Sequence, residues 1–478
     1  MKIENDINKR KALKSGIWNT ITSILLRAVS ILTAPIFTRL LTTSDYGHVS
    51  NFTSWHNILY IFTGLCLYYS VGNAKTDFKN ECNGYLASIQ VLASISGLIC
   101  FILAVTFQDK CSKLLEMDRN LIVLLFSYLI FYSSIEIMQM KFRFDYKYIQ
   151  GILISVYNTV FVTGMSLILI LCMNFPRYKS RIYGICLPPF LLAIVFWFSI
   201  IVKGRKQFSF KYWKYALKIS IPLIPHALSV ILLGQIDRIM IVKMVGTSEA
   251  GIYSFGYSYA AIAIIIVGAV SQSWQPLLYE YLHEKRLKEI KKTSNPINEL
   301  VSACTLVFIV FAPEAIKILG EESYWNAKWV VAPVAIGTLY QYFYGNFSAV
   351  EFYTKKTIWV AAGSIIAAAT NYILNLLLIP VFGYNVAAIT TMVGYFILML
   401  FHVLLSIKTY GCFVYDKKNI CFCVINTTLI GFCIMSLYDK YFLRYIVAII
   451  AIGVIGYRNK KIIISLLNEK IEKINRAA

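Results

Sequence analysis

The sequence predicts an all-α polytopic membrane protein. Hydrophobic residues make up 58% of the 478 residues and charged residues only 15%, whereas a soluble domain carries roughly 25% charged residues. Apolar runs of about 20 residues recur from one end of the chain to the other, and each is long enough to cross a hydrocarbon core roughly 30 Å thick. We predict about fourteen transmembrane helices between Gly16 and Tyr457.

A five-residue pattern occurs twice and indicates an internal duplication. Thr43–Gly47 and Thr247–Gly251 both read Thr, Ser, an acidic residue, any residue and Gly. Each copy begins four residues after a basic residue, Arg39 or Lys243, that closes a long apolar segment. Because duplicated units show such matches at corresponding places, we predict two related halves. The second half starts after an even number of crossings, so the halves share one orientation and are related by an axis along the membrane normal.

The duplication defines the predicted domains. We expect an N-terminal six-helix bundle over residues 1–202, a basic cytoplasmic linker over 203–218 and a C-terminal six-helix bundle over 219–407. Two additional transmembrane helices follow over 408–457. Residues 458–478 are predicted to form a basic amphipathic helix on the inner leaflet. Transporters built from such halves bind their substrate at the junction between the halves.

The positions of the basic residues predict the orientation. The net charge of +22 is distributed in short clusters between apolar segments, which favours topology signals over a nucleic-acid-binding face. With the N-terminus in the cytoplasm, most Lys and Arg residues fall in inner loops, so both termini are predicted to be cytoplasmic. Two outer loops are exceptions to this bias, and their basic residues are Lys110, Lys113 and Arg119 in one loop and Arg177, Lys179 and Arg181 in the other.

Arg27 is the most informative single residue for function. It lies about 16 Å deep in the first predicted span, at 1.5 Å of rise per residue. A charged residue at the centre of a membrane helix costs about 2.5 to 3.5 kcal/mol on insertion scales, so a compensating interaction is expected. Arg27 either lines a watery cavity that binds an anion or pairs with an acidic neighbour such as Glu136 or Asp237.

Asp237 and Arg238 form a second charged spot, in the seventh predicted span. Adjacent side chains on a helix point about 100° apart, so these two cannot face the same neighbour. One of them is expected to face the cavity while the other pairs sideways. Glu136, in the fourth span, is a candidate charge partner or proton carrier. Helix-end anchoring is the alternative for all three residues.

Polar and proline residues mark two further spans. Pro222 and Pro225 remove two backbone donors from the seventh span, so we expect a bend or an unwound turn that can act as a hinge. Asn371 and Asn375 lie on one face of the eleventh span because they are four residues apart. They are candidates for sugar binding, with interhelical hydrogen bonding as the alternative.

The sequence contains none of the motifs expected of an enzyme. It has no glycine-rich phosphate loop of the GxxxxGK type and no His and carboxylate cluster with metal spacing. Most of the 11 cysteines lie inside apolar segments, where a thiol behaves as a small hydrophobe. We therefore predict a transporter without a cofactor and without a metal centre.

Several segments together resemble a known transporter family. These segments are Gly16-Ile17-Trp18-Asn19, Arg39-Leu40-Leu41-Thr42 before Asp45-Tyr46-Gly47, Gln235-Ile236-Asp237-Arg238 before Glu249-Ala250-Gly251-Ile252-Tyr253, and Asn371 to Gly383. Over nearly the whole chain, their order and placement resemble the polysaccharide-export flippases of the multidrug/oligosaccharidyl-lipid/polysaccharide exporter superfamily.

The resemblance implies a V-shaped pair of six-helix bundles with two extra helices, and alternating access to a central cavity. The implied substrate is an O-antigen, capsule or other exopolysaccharide repeat unit linked by pyrophosphate to undecaprenol, moved across a bacterial inner membrane. Arg27 would contact the pyrophosphate, with Arg238 as a second candidate and Arg39 as an outward-end contact. The expected partners are this substrate, membrane lipids, and the polysaccharide polymerase and chain-length machinery, but not nucleic acid.

Two rival functions remain open at this stage. A multidrug or cation antiporter of the same superfamily would need acidic residues in its cavity, and Glu136 and Asp237 qualify. A membrane glycosyl polymerase or ligase would need a sizeable outer loop rich in Arg and His, and no predicted loop has that composition.

Overall fold

The computed structural model describes residues 33–354 and 358–460, together with the single positions 29 and 464. Within these ranges the chain is helical almost throughout, and no strand occurs among the described residues. The prediction of an all-α protein is confirmed.

Nineteen helices form the described chain, and short turns join them. The first, α1, comprises residues 33–40. The others are α2 Thr43–Gly64, α3 Val71–Asp77, α4 Cys82–Thr106, α5 Gln108–Leu115, α6 Arg119–Phe144, α7 Tyr148–Cys172, α8 Arg177–Gly204, α9 Lys211–Ser220, α10 Ile224–Met244, α11 Thr247–Ala260, α12 Ile262–His283, α13 Leu287–Val310, α14 Ala312–Leu319, α15 Lys328–Tyr353, α16 Ile358–Phe382, α17 Val386–Tyr410, α18 Lys417–Ser436 and α19 Tyr441–Arg458.

Length and composition identify the membrane-spanning helices. In the described part of the chain, 9 helical segments are long and apolar enough to cross a bilayer, with α9 and α10 taken together as one segment. The number rises to 10 if α13 and α14, which meet at an angle of 55°, form one bent span. The protein is therefore a multi-pass membrane protein.

The described residues divide into two compact units. The first unit contains the described residues up to Phe255, together with Leu319–Tyr324 and Ser364–Ala387. The second contains Gly256–Ile318, Trp325–Gly363 and the described residues from Ala388 onward. The predicted domain boundaries at residues 202, 219 and 407 stay a prediction.

Helix α6 is central to the core of the first unit. Its residues Leu121, Leu125 and Leu129 are spaced by four, so they share one face of the helix, and each is at most 2% exposed. This face packs against Phe52 of α2 and Ile182 of α8. The apolar stripe thus fixes α2 and α8 around α6.

The two loops that were predicted to face outward with excess basic charge contain ion pairs. Lys179 Nζ lies 2.7 Å from an Asp118 carboxylate oxygen, and Tyr178 donates a hydrogen bond of 2.8 Å to the same carboxylate. The hydrogen bond from Lys179 is the largest cause that holds the pKa of Asp118 below its ordinary value. Arg119 forms an ion pair with Asp109.

Helix α19 is held at both ends in the second unit. Near its start, the guanidinium of Arg444 is only 1% exposed and pairs with Glu314 of α14. At its end, Arg458 pairs with Glu299 of α13 at 2.9 Å. The two extra C-terminal helices predicted from the sequence thus have an ionic attachment at each end of α19.

Of the two carboxylates that pair with α19, Glu299 accepts more hydrogen bonds than Glu314. Arg458 donates two hydrogen bonds to it, from Nε at 3.0 Å and from Nη2 at 2.9 Å. Asn419 of α18 donates at 2.8 Å and Asn459 donates at 2.7 Å. Glu299 is 3% exposed, so hydrogen bonds from the ends of two neighbouring helices replace its hydration.

Candidate functional site

The predicted cationic residues at the start of the chain are only partly described. Arg27, the main candidate for anion binding, lies outside the described residues. Arg39 is exposed at the end of α1. The proposed roles of both residues stay predictions.

Asp237 of α10 lies at the centre of a buried polar cluster in the first unit. Its Oδ2 accepts a hydrogen bond of 2.5 Å from the Tyr253 hydroxyl of α11. Its Oδ1 accepts one of 2.6 Å from the Asn375 side-chain amide of α16. Asn375 also donates to Asn371 at 3.4 Å. All four residues are 0% exposed, so the structure brings together three residues that the sequence singled out separately.

The cluster follows from helix geometry and from the cost of buried charge. Asn371 and Asn375 are one helical turn apart on α16, so both amides face the same neighbour. Hydrogen bonds to an ionised carboxylate are stronger than neutral ones and offset part of the cost of burying it. The cluster can therefore hold a negative charge inside the unit, and it offers oxygen ligands and amide donors of the kind that bind cations or sugar hydroxyls.

Arg238 points away from Asp237, as expected for adjacent residues on a helix, whose side chains point about 100° apart. Its Nη1 donates to the backbone oxygen of Gly234 at 2.5 Å and to Gln235 Oε1 at 3.4 Å. The same Gln235 oxygen accepts a hydrogen bond of 3.0 Å from Ser54 of α2. Arg238 is therefore part of a polar connection between α10 and α2, and its proposed contact with an anion stays a prediction.

The two copies of the repeated pattern meet each other in the first unit. Helices α2 and α11 begin at Thr43 and Thr247, the first residues of the two copies. Three hydroxyl pairs join them, Thr43 with Ser248 at 2.7 Å, Ser44 with Thr247 at 2.7 Å, and Ser50 with Ser254 at 2.6 Å. Each pair becomes another pair, or itself, when the two copies are exchanged, so the contact has local two-fold symmetry.

The glycine of each copy allows this close approach. A Cβ atom on Gly47 would lie 1.8 Å from the backbone oxygen of Thr247, and one on Gly251 would lie 1.9 Å from that of Thr43. Any side chain at either position would force the two helix starts apart. The residues that define the repeat are thus the ones that make the contact.

Glu136 of α6 lies beside a group of aromatic rings. It accepts a hydrogen bond of 3.3 Å from the Tyr132 hydroxyl. The Tyr132 ring packs edge-on against His56 and Tyr60 of α2, each at 4.7 Å between ring centroids. Its predicted role as a charge partner or proton carrier stays a prediction.

The predicted hinge coincides with a change of helix type. Residues Ile221–Leu223, which include Pro222, form a 3-10 turn between α9 and α10, and Pro225 lies in the first turn of α10. Each proline lacks a backbone donor, which favours a local break in the α-helical hydrogen bonding. The helix type thus changes at these prolines, and the predicted hinge stays a prediction.

A family model described as "Polysaccharide biosynthesis protein" matches residues 36–328, more than half of the chain. This chain belongs to that family. A relative from Haemophilus influenzae (strain ATCC 51907 / DSM 11121 / KW20 / Rd), named "Lsg locus putative protein 1", is 24% identical over an alignment of 294 residues that covers 58% of this chain and 68% of that protein. The family match bears out the resemblance to polysaccharide-export proteins.

Solved transporter structures share the fold of this polysaccharide biosynthesis protein. The lipid II flippase MurJ in an inward closed conformation matches with a TM-score of 0.66 at 14% identity, over 94% of this chain and 100% of that one. An inward-facing multidrug resistance MATE family transporter of the MOP superfamily matches with a TM-score of 0.62 at 13% identity, over 87% of this chain and 96% of that one. The fold is therefore the two-lobed fold of these transporters.

Sequence reasoning missed several polar partners in this family member. It did not identify Tyr253, Gln235 or Tyr132 as site residues, although each hydrogen-bonds to a charged residue that it did identify. A search for hydroxyl and amide residues at the depth of each intramembrane charge would have found them.

Among the described residues, no group of three or more His, Cys, Asp or Glu side chains is arranged to hold a metal ion.

Proposed function

We propose that this protein is a flippase for a lipid-linked oligosaccharide. The substrate is a repeat unit of O-antigen, capsule or another exopolysaccharide joined by pyrophosphate to undecaprenol. The protein moves it from the inner to the outer leaflet of the bacterial cytoplasmic membrane by alternating access. The observation that carries the proposal is membership of a polysaccharide biosynthesis family in a chain with a transporter fold.

Physical chemistry explains why such a substrate needs a protein. Moving one unpaired hydroxyl from water into hydrocarbon costs about 2 to 7 kcal/mol. A head group with many hydroxyls and a pyrophosphate therefore requires a polar route. Arg27, Arg238 and Arg39 are the proposed contacts of the pyrophosphate, and Asn371 and Asn375 are proposed to bind sugar hydroxyls.

Asp237 is proposed to couple these contacts to an ion. Its carboxylate accepts hydrogen bonds from Asn375 and Tyr253. An ion bound at this carboxylate would compete with the Asn375 amide and so change the donors available to the sugar. We also propose that both termini are cytoplasmic, and that the polysaccharide polymerase and the chain-length machinery receive the product.

Replacement of Arg27 in the source cell tests the proposal. In a strain that lacks the native gene, the wild-type gene restores surface polysaccharide, and Arg27→Ala does not, because the pyrophosphate loses its cation. Arg27→Lys restores it in part. The matched control is Arg119→Ala, which removes an exposed arginine of an outer loop and leaves surface polysaccharide unchanged. Full restoration by both Arg27 variants contradicts the assignment of Arg27, and normal polysaccharide in the deletion strain contradicts the flippase.

A multidrug or cation antiporter is the second candidate, because the fold also matches MATE transporters and the described core contains the buried carboxylate of Asp237. The drug sensitivity of the same deletion strain separates the two functions. If the protein is an antiporter, the deletion strain is more sensitive to drugs and has normal surface polysaccharide. If the protein is the flippase, the strain has normal drug sensitivity and lacks surface polysaccharide.

A further inference from the structure

Glu351 of α15 and His402 of α17 form a buried pair that the proposed substrate route does not use. Both side chains are 0% exposed. The imidazole Nδ1 lies 2.9 Å from each of the two carboxylate oxygens. Glu351 is two residues from the end of α15, and His402 is deep within α17. Two titratable groups thus meet inside the second unit, in direct hydrogen-bond contact.

The charge of this pair depends on one proton. With a protonated imidazole the pair is neutral, because the imidazolium offsets the carboxylate. With a neutral imidazole that donates through Nδ1, the pair carries one uncompensated negative charge in a site without water contact, which is costly. The pair therefore has two states that differ by one proton, and its histidine is the side chain that titrates nearest to neutral pH.

The second ring nitrogen is where this proton can exchange. His402 Nε2 is buried and has no hydrogen-bond partner among the described residues. Gly363 of α16 faces it, and a Cβ atom there would lie 2.9 Å from Nε2. Because Gly363 has no side chain, the imidazole can pack directly against α16, and Nε2 is buried at this contact.

The neighbours of Glu351 and His402 are mainly aromatic rings. The ring centroids of Tyr344 and Phe401 lie 4.8 Å and 5.4 Å from that of His402, so the titratable phenol of Tyr344 is a direct neighbour of the imidazole. Tyr353, two residues after Glu351, packs against Tyr279 of α12 instead. Lys355 and Lys356 follow in the sequence and lie outside the described residues. Within the described ranges, the ion-pair partner of Glu351 is His402.

We infer that Glu351 and His402 form a proton-binding site whose proton is exchanged during transport, so that the proton is a driving ion of this protein. When alternating access opens the site to water on one side of the membrane, a hydronium ion transfers a proton to the Nε2 lone pair of His402 and leaves as water, which changes the charge of the pair from minus one to zero. The reverse step, on the other side of the membrane, returns the proton to water. The inference rests on the proposed transport function.

An infrared titration of the purified full-length protein tests proton binding without any transport. Spectra are recorded between about pH 5 and pH 8, the range in which histidine titrates, for the wild type and His402→Gln. We expect their difference to show one imidazole that gains a proton on acidification. In Glu351→Gln we expect this proton-dependent imidazole signal to weaken, because the carboxylate that stabilises the protonated ring is lost. A His402 ring with a constant protonation state throughout this range overturns the inference.

A transport measurement tests whether the proton is coupled. The full-length protein is reconstituted in vesicles with a fluorescent undecaprenyl-pyrophosphate oligosaccharide, and its flipping rate is measured with and without an imposed pH gradient. A gradient of one pH unit is a tenfold ratio of proton concentrations, so we expect the wild-type rate to rise by up to about tenfold. In His402→Gln and Glu351→Gln the ratio of the two rates falls to about one, whereas Glu351→Asp, which keeps the carboxylate, retains a ratio above one.

Glu299→Gln is the matched control, because it makes the same carboxylate-to-amide change at another buried ion pair of the same unit. We expect it to leave the gradient ratio unchanged. A full gradient response in both His402→Gln and Glu351→Gln overturns the inference, even if the infrared titration shows protonation. If the wild type flips no lipid under any condition, the proposed function fails, and the infrared titration alone decides whether the proton site exists.

Discussion

Glu299 and Glu351 are buried carboxylates of the same unit with opposite surroundings. Glu299 accepts hydrogen bonds from Arg458, Asn419 and Asn459. In the described chain, the Glu351 carboxylate pairs with His402, whose second nitrogen has no partner among the described residues. One carboxylate accepts hydrogen bonds from an arginine and two amides, and the other has a histidine as its ion-pair partner.

The difference teaches how a membrane protein can use the same side chain in two ways. A carboxylate paired with arginine keeps its charge, because arginine does not lose its proton in proteins. Such a pair suits the attachment of helices. A carboxylate paired with histidine changes its net charge within the physiological range, which suits a device that responds to protons.

Glu299→Ala has the largest expected effect on stability. It leaves the Arg458 guanidinium and two amides without their acceptor, and breaking a buried ion pair costs about 3 to 5 kcal/mol. Because the Arg458 side chain is 43% exposed, water replaces part of the lost interaction, and we expect roughly 3 kcal/mol or less. Thermal unfolding of the purified protein in detergent measures the loss.

The control for this variant is Glu280→Ala, since the Glu280 side chain is 58% exposed and pairs with Arg286 at the surface. Exposed pairs contribute about 0 to 1 kcal/mol, so the melting temperature should change little. Equal melting temperatures for the two variants would show that Glu299 does not attach α19.

Glu351→Gln is expected to be milder, with a loss of about 1 kcal/mol. The glutamine amide keeps a hydrogen bond to a neutral imidazole, and no charge is left without a partner. The same unfolding measurement at neutral pH checks this value. A loss as large as that of Glu299→Ala would mean that Glu351 also serves mainly to attach helices, and the contrast between the two carboxylates would disappear.

Asp118→Asn is expected to have the smallest effect on stability. It extends the comparison of buried carboxylates to one at the surface. The pKa of Asp118 is lowered in the folded protein, chiefly by the hydrogen bond from Lys179. Its stabilising contribution is therefore present above the unfolded pKa of about 3.9 and is lost as the pH falls through the lower folded value. We expect Asp118→Asn to be less stable than the wild type by roughly 0.5 kcal/mol at neutral pH.

Unfolding measurements at acid pH check the direction of this effect. Unfolding curves of the wild type and Asp118→Asn should converge on acidification, because both then carry a neutral side chain at position 118. A difference that persists at acid pH would assign the effect to packing and not to charge.

Much of the fold could be predicted from the sequence, because membrane helices are specified by the length of their apolar runs. The repeated Thr-Ser pattern also marked two real helix starts, at Thr43 and Thr247. For the site, Asp237, Asn371 and Asn375 stood out individually as polar residues in apolar spans. Their convergence on one cluster could not be predicted, since it depends on which helices become neighbours.

Glu351 and His402 show where sequence reasoning ended. Glu351 lies two residues before the end of α15, so in the sequence it resembles an ordinary helix-end residue. Its burial comes from tertiary packing between α15 and α17. The two partners are 51 positions apart, and the intervening sequence contains no pattern that would pair them. Spacing within one helix can predict a shared face, whereas contacts between helices need the folded structure.

The most direct test of the central claim is the appearance of lipid-linked sugar on the far side of a sealed bilayer. Purified protein is placed in vesicles that carry undecaprenyl-pyrophosphate oligosaccharide, and a membrane-impermeant glycosidase outside reports how much sugar becomes accessible. We predict that vesicles with the protein expose the pool initially enclosed, whereas protein-free vesicles expose only the outer leaflet. Equal accessibility with and without the protein, in vesicles where the same preparation transports a cationic drug, would contradict the flippase and favour the antiporter.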